Sequence, residues 1–150
     1  MTNKQKDWGG ADALRSELHV AKRRLILREA GALFEEVGFH NTSMEQIARR
    51  LGLTKAALYH YFADKHELLM RCFDIGQAVV EQALAHARAS QGSGLDRIEL
   101  FVRTYVMGIA HELGACAATL ELSSAPAGEI PALRARMRGI DRALRALVQA

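Results

Sequence analysis

Residues 42–69 read TSMEQIARRLGLTKAALYHYFADKHELL, two short apolar stripes divided by a glycine and followed by the start of a third. Thr42 with Glu45 forms a T-x-x-E capping box, which predicts a short helix with Met44, Ile47, Ala48 and Leu51 on its inner face. Gly52 supplies the left-handed residue that ends it. Thr54 caps a second helix, Lys55 to about Tyr61, and Asp64 with Glu67 caps a third. Helices of about two turns do not stand alone, so longer neighbours must hold the first two. Ala48 is small enough for a close crossing, Gly52 allows a sharp turn, and Leu58 closes the core between the pair. The spacing fits a helix-turn-helix, whose second helix enters the DNA major groove, and also an ordinary helical hairpin.

On the N-terminal side, Ile26, Ala30, Leu33, Phe34 and Val37 recur at helical spacing in a helix from Asp12 or His19 to Val37. Gly38 ends it, with Phe39 folding back onto the last turn. Residues 1–11 are polar and glycine-containing and read as a flexible arm. On the C-terminal side the third stripe continues through Leu68, Leu69, Cys72, Phe73, Val79, Val80, Ala83, Leu84 and Ala87 to about Ala89, until SQGSG at 90–94 breaks it. Leu95, Ile98, Phe101, Val102, Tyr105, Val106, Ile109 and Leu113 form the wide stripe of a helix buried on more than one side. Gly114 interrupts, a short apolar helix is expected over 115–122, and SSAPAGEIP is a loop holding both prolines. The last helix starts near Pro131, with Leu133, Met137, Ile140, Leu144, Leu147 and Val148 inward and Arg134, Arg138, Arg142 and Arg145 mostly outward. Since period-two alternation is absent, the expected fold class is all-α.

Composition narrows the function. The 150 residues are 49% apolar and 25% charged, which is the balance of a folded chain. Lys and Arg exceed Asp and Glu by 20 to 17, and the +3 balance permits an anionic partner. Lys22, Arg23, Arg24 and Arg28 form a local basic patch with no acid between them. Cys72 and Cys116 lack any C-x-x-C or His-rich neighbourhood, so they read as buried reduced thiols, and no metal or cofactor is expected. No signal peptide or run of roughly 18 apolar residues is present, so a cytoplasmic protein is expected, with no membrane partner. Metalloprotease, nucleophile-elbow, P-loop and paired-carboxylate signatures are missing, which argues against an enzyme.

Arg24 to Leu69 resembles the DNA-binding region of the TetR family of transcriptional regulators. The likeness rests on A-x-x-x-F-x-x-x-G at Ala30, Phe34 and Gly38, T-S-M-x-x-I-A at Thr42 to Ala48, and L-Y-x-x-F-x-x-K at Leu58 to Lys65. The resemblance implies a three-helix helix-turn-helix DNA-binding domain over 12–65 and a helical domain for effector binding and dimerisation over 66–150. By the resemblance, relatives dimerise through two further C-terminal helices, so the second domain is expected to be incomplete, the alternative being a different mode of dimerisation.

DNA contacts are expected from the helix-turn-helix. Lys55, Ala56 and Ala57 occupy the first turn of the recognition helix, where a lysine can donate to guanine and the alanines can meet thymine methyls. Thr42 and Ser43 sit at a helix N-terminus suited to a phosphate, although plain capping would also account for them. Tyr59 shares the face of Lys55. By the resemblance, Tyr59 and His60 contact DNA, Tyr61 neighbours a phosphate, Lys65 meets one, and Phe62 is core. A solvated Lys55 and an Asp64–Lys65 surface pair are the plainer alternatives.

In the second domain, Phe73, Gln77, Phe101, Tyr105, Ile109 and Cys116 can line an effector cavity, or serve simply as core. The segment SSAPAGEIPALRARM resembles regulators answering to fatty-acid or acyl-CoA metabolites. The expectation is therefore a homodimeric repressor of a palindromic double-stranded operator, released by a small lipophilic molecule such as an acyl-CoA. A helical protein-interaction module without sequence-specific DNA binding is the other reading.

Overall fold

Two apolar clusters organise the chain, and one helix runs through both. The computed structural model describes residues 8–113 and 122–149. The helices are α1 (Trp8–Val37), α2 (Met44–Arg50), α3 (Lys55–Tyr59), α4 (Lys65–Ala89), α5 (Gly94–Leu113) and α6 (Ile130–Gln149), with a 3-10 turn at Leu122–Ser124. No strand occurs among the described residues, and the fold is all-α as expected. Most of the short helix expected over 115–122, with Cys116, lies outside them.

The first cluster joins Ile26, Ala30 and Phe34 of α1 to Ile47 of α2, Leu58 of α3, Phe62, and Leu68, Leu69 and Cys72 of α4. The second joins Val80, Ala83, Leu84 and Ala87 of α4 to Phe101 of α5 and Leu147 of α6. α4 supplies both and so connects the two halves.

Local chemistry sets the helix ends. Gly38 and Gly52 take φ of +85° and +65°, the left-handed values that stop α1 and α2. Thr54 Oγ1 accepts from Ala57 N at 3.1 Å, and Asp64 Oδ1 from Glu67 N at 2.8 Å, as expected of both caps. Glu67 also reaches back, its Oε2 accepting from Ala63 N at 2.8 Å.

The cap of α2 falls one residue later than expected. Ser43 Oγ accepts from Gln46 N at 3.2 Å, and Gln46 Oε1 accepts from Ser43 N at 2.7 Å, so the box is Ser43–Gln46 and not Thr42–Glu45. A turn in which Thr42 N donates to Phe39 O at 3.2 Å carries Thr42 inward, and its hydroxyl donates to Gly38 O at 2.9 Å. Both registers satisfy the same motif, and the turn before them chooses.

Three further differences concern extent and burial. α1 begins at Trp8, so residues 8–11 are helical and not part of an arm. In α6, Leu133 and Leu147 are buried, whereas Met137 and Val148 are 58% and 61% exposed. α4 and α5 cover only part of the α6 stripe, and those two residues lie at its uncovered edge. In α5 the stripe is likewise half covered, with Phe101 and Ile109 buried and Val102 and Val106 exposed.

Candidate nucleic-acid interface

The short helix α3 is held from behind. Leu58 is fully buried and Phe62, just beyond the helix, is 1% exposed, confirming it as core. Arg23 of α1 adds a second hold, with its guanidinium 4.2 Å above the Phe62 ring and Nη1 donating to the Tyr61 carbonyl. With that side fixed, α3 turns Lys55, Ala56, Tyr59 and the following His60 to solvent, with Ala57 half-buried at the edge. Lys55 Nζ lies 5.9 Å from the centre of the Tyr59 ring, so the two share one face as their spacing requires. Ser43 is exposed at the start of α2, its Oγ committed as acceptor to the cap and its hydrogen still available.

The other expected contacts are placed differently. Thr42 is buried, its hydroxyl spent on Gly38. Lys65 points into the fold, and its Nζ donates to the carbonyls of Phe39 at 3.0 Å, Thr42 at 3.0 Å and His40 at 3.4 Å, above the Phe39 ring. An ammonium has three hydrogens, and all three are engaged within the chain. Tyr61 is half-buried, with its ring stacked on His19 of α1 at 5.0 Å. The basic patch is also partly used internally, because Arg24 pairs with Glu112 of α5 at 3.4 Å.

Arg50 was not singled out from sequence, yet it ties α2 to α1. Its Nη1 and Nη2 meet both oxygens of Glu36 at 2.6 and 2.8 Å, and its Nε meets Glu29 at 2.8 Å. The hydrogen bond from Arg50 holds the Glu36 carboxyl below its usual range, and bonds to Glu36 and then Glu29 push the guanidinium further toward its charged form. The available signal was Glu29 and Glu36 seven residues apart, two turns along one face of α1.

Between α4, α5 and α6 lies a cavity of about 270 Å³. Phe73, Gln77 and Tyr105 of the sequence-derived set line it. Phe101 and Ile109 do not line it and are core residues, 8% and 6% exposed, while Cys116 is outside the described residues. Arg136 lines the cavity without having been anticipated.

Two short helices packed through Leu58, with Lys55, Tyr59 and His60 on the outer side of the second, form a helix-turn-helix. A family model described as bacterial regulatory proteins, tetR family, matches residues 26–72. BetI, a helix-turn-helix transcriptional regulator of Escherichia coli, is 34% identical over 83 residues, 54% of this chain and 43% of its own. A TetR-family regulator from Bordetella parapertussis shares the fold with a TM-score of 0.73 over 84% of this chain and 66% of its own, at 24% identity. A TetR/AcrR-family regulator from Thermobifida fusca is 31% identical, with a TM-score of 0.50 over 85% of this chain and 68% of its own. The chain belongs to the TetR family, a family of regulators and not of enzymes. It spans 43% of the length of the curated relatives it matches. No described helix is long and apolar enough to cross a membrane.

Proposed function

We propose that the protein regulates transcription by binding double-stranded DNA through α3, and that it acts as a homodimeric repressor released by a small lipophilic effector. The observation that carries the reading is the two-sided character of α3, with Leu58 fully buried behind it and Lys55, Ala56 and Tyr59 exposed in front. In the major groove, Lys55 donates to guanine O6 or N7, and Ala56 and Ala57 meet thymine methyls. The Tyr59 phenol and Ser43 hydroxyl donate to phosphates, His60 adds a contact beyond the helix, and Tyr61 lies at the rim. Thr42 and Lys65 act one step back, fixing the loop that presents Ser43.

A homodimer places two copies of α3 in half-sites about 34–36 Å apart on a palindromic operator. Ligand in the cavity favours a conformation in which α4 shifts and the two heads leave register, a coupling of about 1–3 kcal/mol. This function belongs in the bacterial cytoplasm, where the operator is. An acyl-CoA is one effector of the required lipophilic class.

Selection of bound fragments from random duplex DNA tests the reading. Recovery of a palindromic consensus, with affinity falling steeply as salt rises, is the expected result. Recovery of random sequence with salt-insensitive binding would instead support a protein-interaction module.

A further inference from the structure

Two arginines share one carboxylate at the edge of the cavity. Asp74 of α4 accepts from Arg136 Nη1 of α6 at 3.1 Å, and its other oxygen lies 3.7 Å from Arg71 Nη1. The trio carries one surplus positive charge. Among the described lining residues Arg136 is the only charged one, and neither Asp74 nor Arg71 reaches the cavity. Glu81, two turns along α4 from Asp74, is occupied by the Gln77 amide, whose Nε2 donates to it at 2.8 Å. The rest of the wall is mainly apolar, with Phe73, Val80, Leu133 and Ile140 beside Tyr105 in the lining.

The Arg136 and Asp74 side chains are 44% and 45% exposed, and a pair so open to water is held weakly. An incoming anion therefore displaces Asp74 at little cost. Asp74 retains Arg71, so the exchange leaves no charge without a partner. The guanidinium gains a carboxylate it can grip with two parallel N–H groups. At about 30 Å³ per water, 270 Å³ is the space of about nine waters, which suits a chain of roughly eight carbons.

Resting on the reading that this cavity takes an effector, we propose that the effector is an amphiphilic anion of medium length. Its carboxylate sits on Arg136 and its aliphatic tail lies between α4, α5 and α6. The head-group charge supplies the selectivity, so an alcohol of the same length binds less well. Occupancy exchanges the direct Asp74–Arg136 tie between α4 and α6 for one made through the ligand.

Calorimetric titration of the full chain with octanoate and with 1-octanol tests this, using wild type, Arg136→Gln and Asp74→Asn. Octanoate should bind at least tenfold more tightly than octanol to wild type. Arg136→Gln should lose that preference while still binding octanol, and Asp74→Asn, which removes the competing carboxylate, should tighten octanoate several-fold. Equal affinity for the two probes in wild type overturns the anion assignment but leaves the cavity as an effector site. A preference that survives Arg136→Gln overturns the role of Arg136. Binding of neither probe overturns the proposal, and only a lack of any ligand effect on operator binding would sink the broader reading.

Discussion

Lys65 Nζ, at the first residue of α4, lies 3.0 Å from the carbonyl oxygen of Thr42, the residue just before the cap of α2. The helix that walls the cavity thereby grips the loop that sets the start of the helix-turn-helix, and the Phe39 and His40 carbonyls complete the grip. A lysine in that position acts as a strut.

The strut makes a prediction that separates it from a phosphate contact. Lys65→Met takes the ammonium from three carbonyls, of which that of Phe39 keeps the Thr42 N–H, and should cost about 1–3 kcal/mol of stability, read from the urea midpoint. Operator affinity should fall similarly for all sequences, while the slope of log K against log salt stays unchanged. A slope smaller by about one would instead mean that Lys65 neutralises a phosphate.

Lys55 should behave in the opposite way. It is exposed, so Lys55→Ala should leave the melting temperature nearly unchanged. Competition against single-base variants of the selected operator should show about 1–3 kcal/mol of lost discrimination at one position. A uniform loss across all variants would argue against base reading.

Close helix contacts predict unequal outcomes for three glycine substitutions. A Cβ on Gly94 would stand 2.5 Å from the Val148 carbonyl oxygen, and one on Gly108 2.6 Å from Val79 Cγ1. Backbone at the first and a stiff, buried β-branched residue at the second cannot yield easily, so each alanine should destabilise by about 1–3 kcal/mol. Gly139 in α6 has nothing within 4 Å, and Gly139→Ala should stabilise by about 0.4–1 kcal/mol. Thermal melts of the three variants check the order.

Acid should loosen the start of α5. Asp96 Oδ2 accepts from the Ser93 hydroxyl and from Ser93 N, both at 2.7 Å, and these bonds hold its pKa below the usual carboxylate range. A depressed folded pKa means that the contribution is complete above the ordinary value of about 4 and is lost as pH falls through the lower folded value. Asp96→Asn should thus be less stable than wild type near neutral pH, and the gap should narrow in melts as pH falls below about 4. A gap that persists at the acid end would refute the link.

Several features were legible in residues 1–150 because their causes are local. Gly38 and Gly52 stop helices through a backbone angle each adopts in place, and Thr54 and Asp64 cap through hydrogen bonds spanning three residues. Tyr59's place on the Lys55 face followed from period, whereas Phe62 as core came from the family resemblance. Of the residues expected to line a cavity, Phe73, Gln77 and Tyr105 meet at one, while Phe101 and Ile109 show that an apolar stripe does not distinguish a wall from a core.

Charge direction was not legible, because a long cationic side chain is aimed by whatever the fold brings near it. Lys65 meets carbonyls 23 to 26 residues away, Arg23 meets a ring and a carbonyl beyond α3, and Arg50 reaches back 14 and 21 residues to Glu36 and Glu29. Two lysines ten residues apart in one motif consequently take opposite parts, Lys55 facing solvent and Lys65 facing the loop. Periodicity assigns each residue a face on its own helix, but packing sets what that face meets.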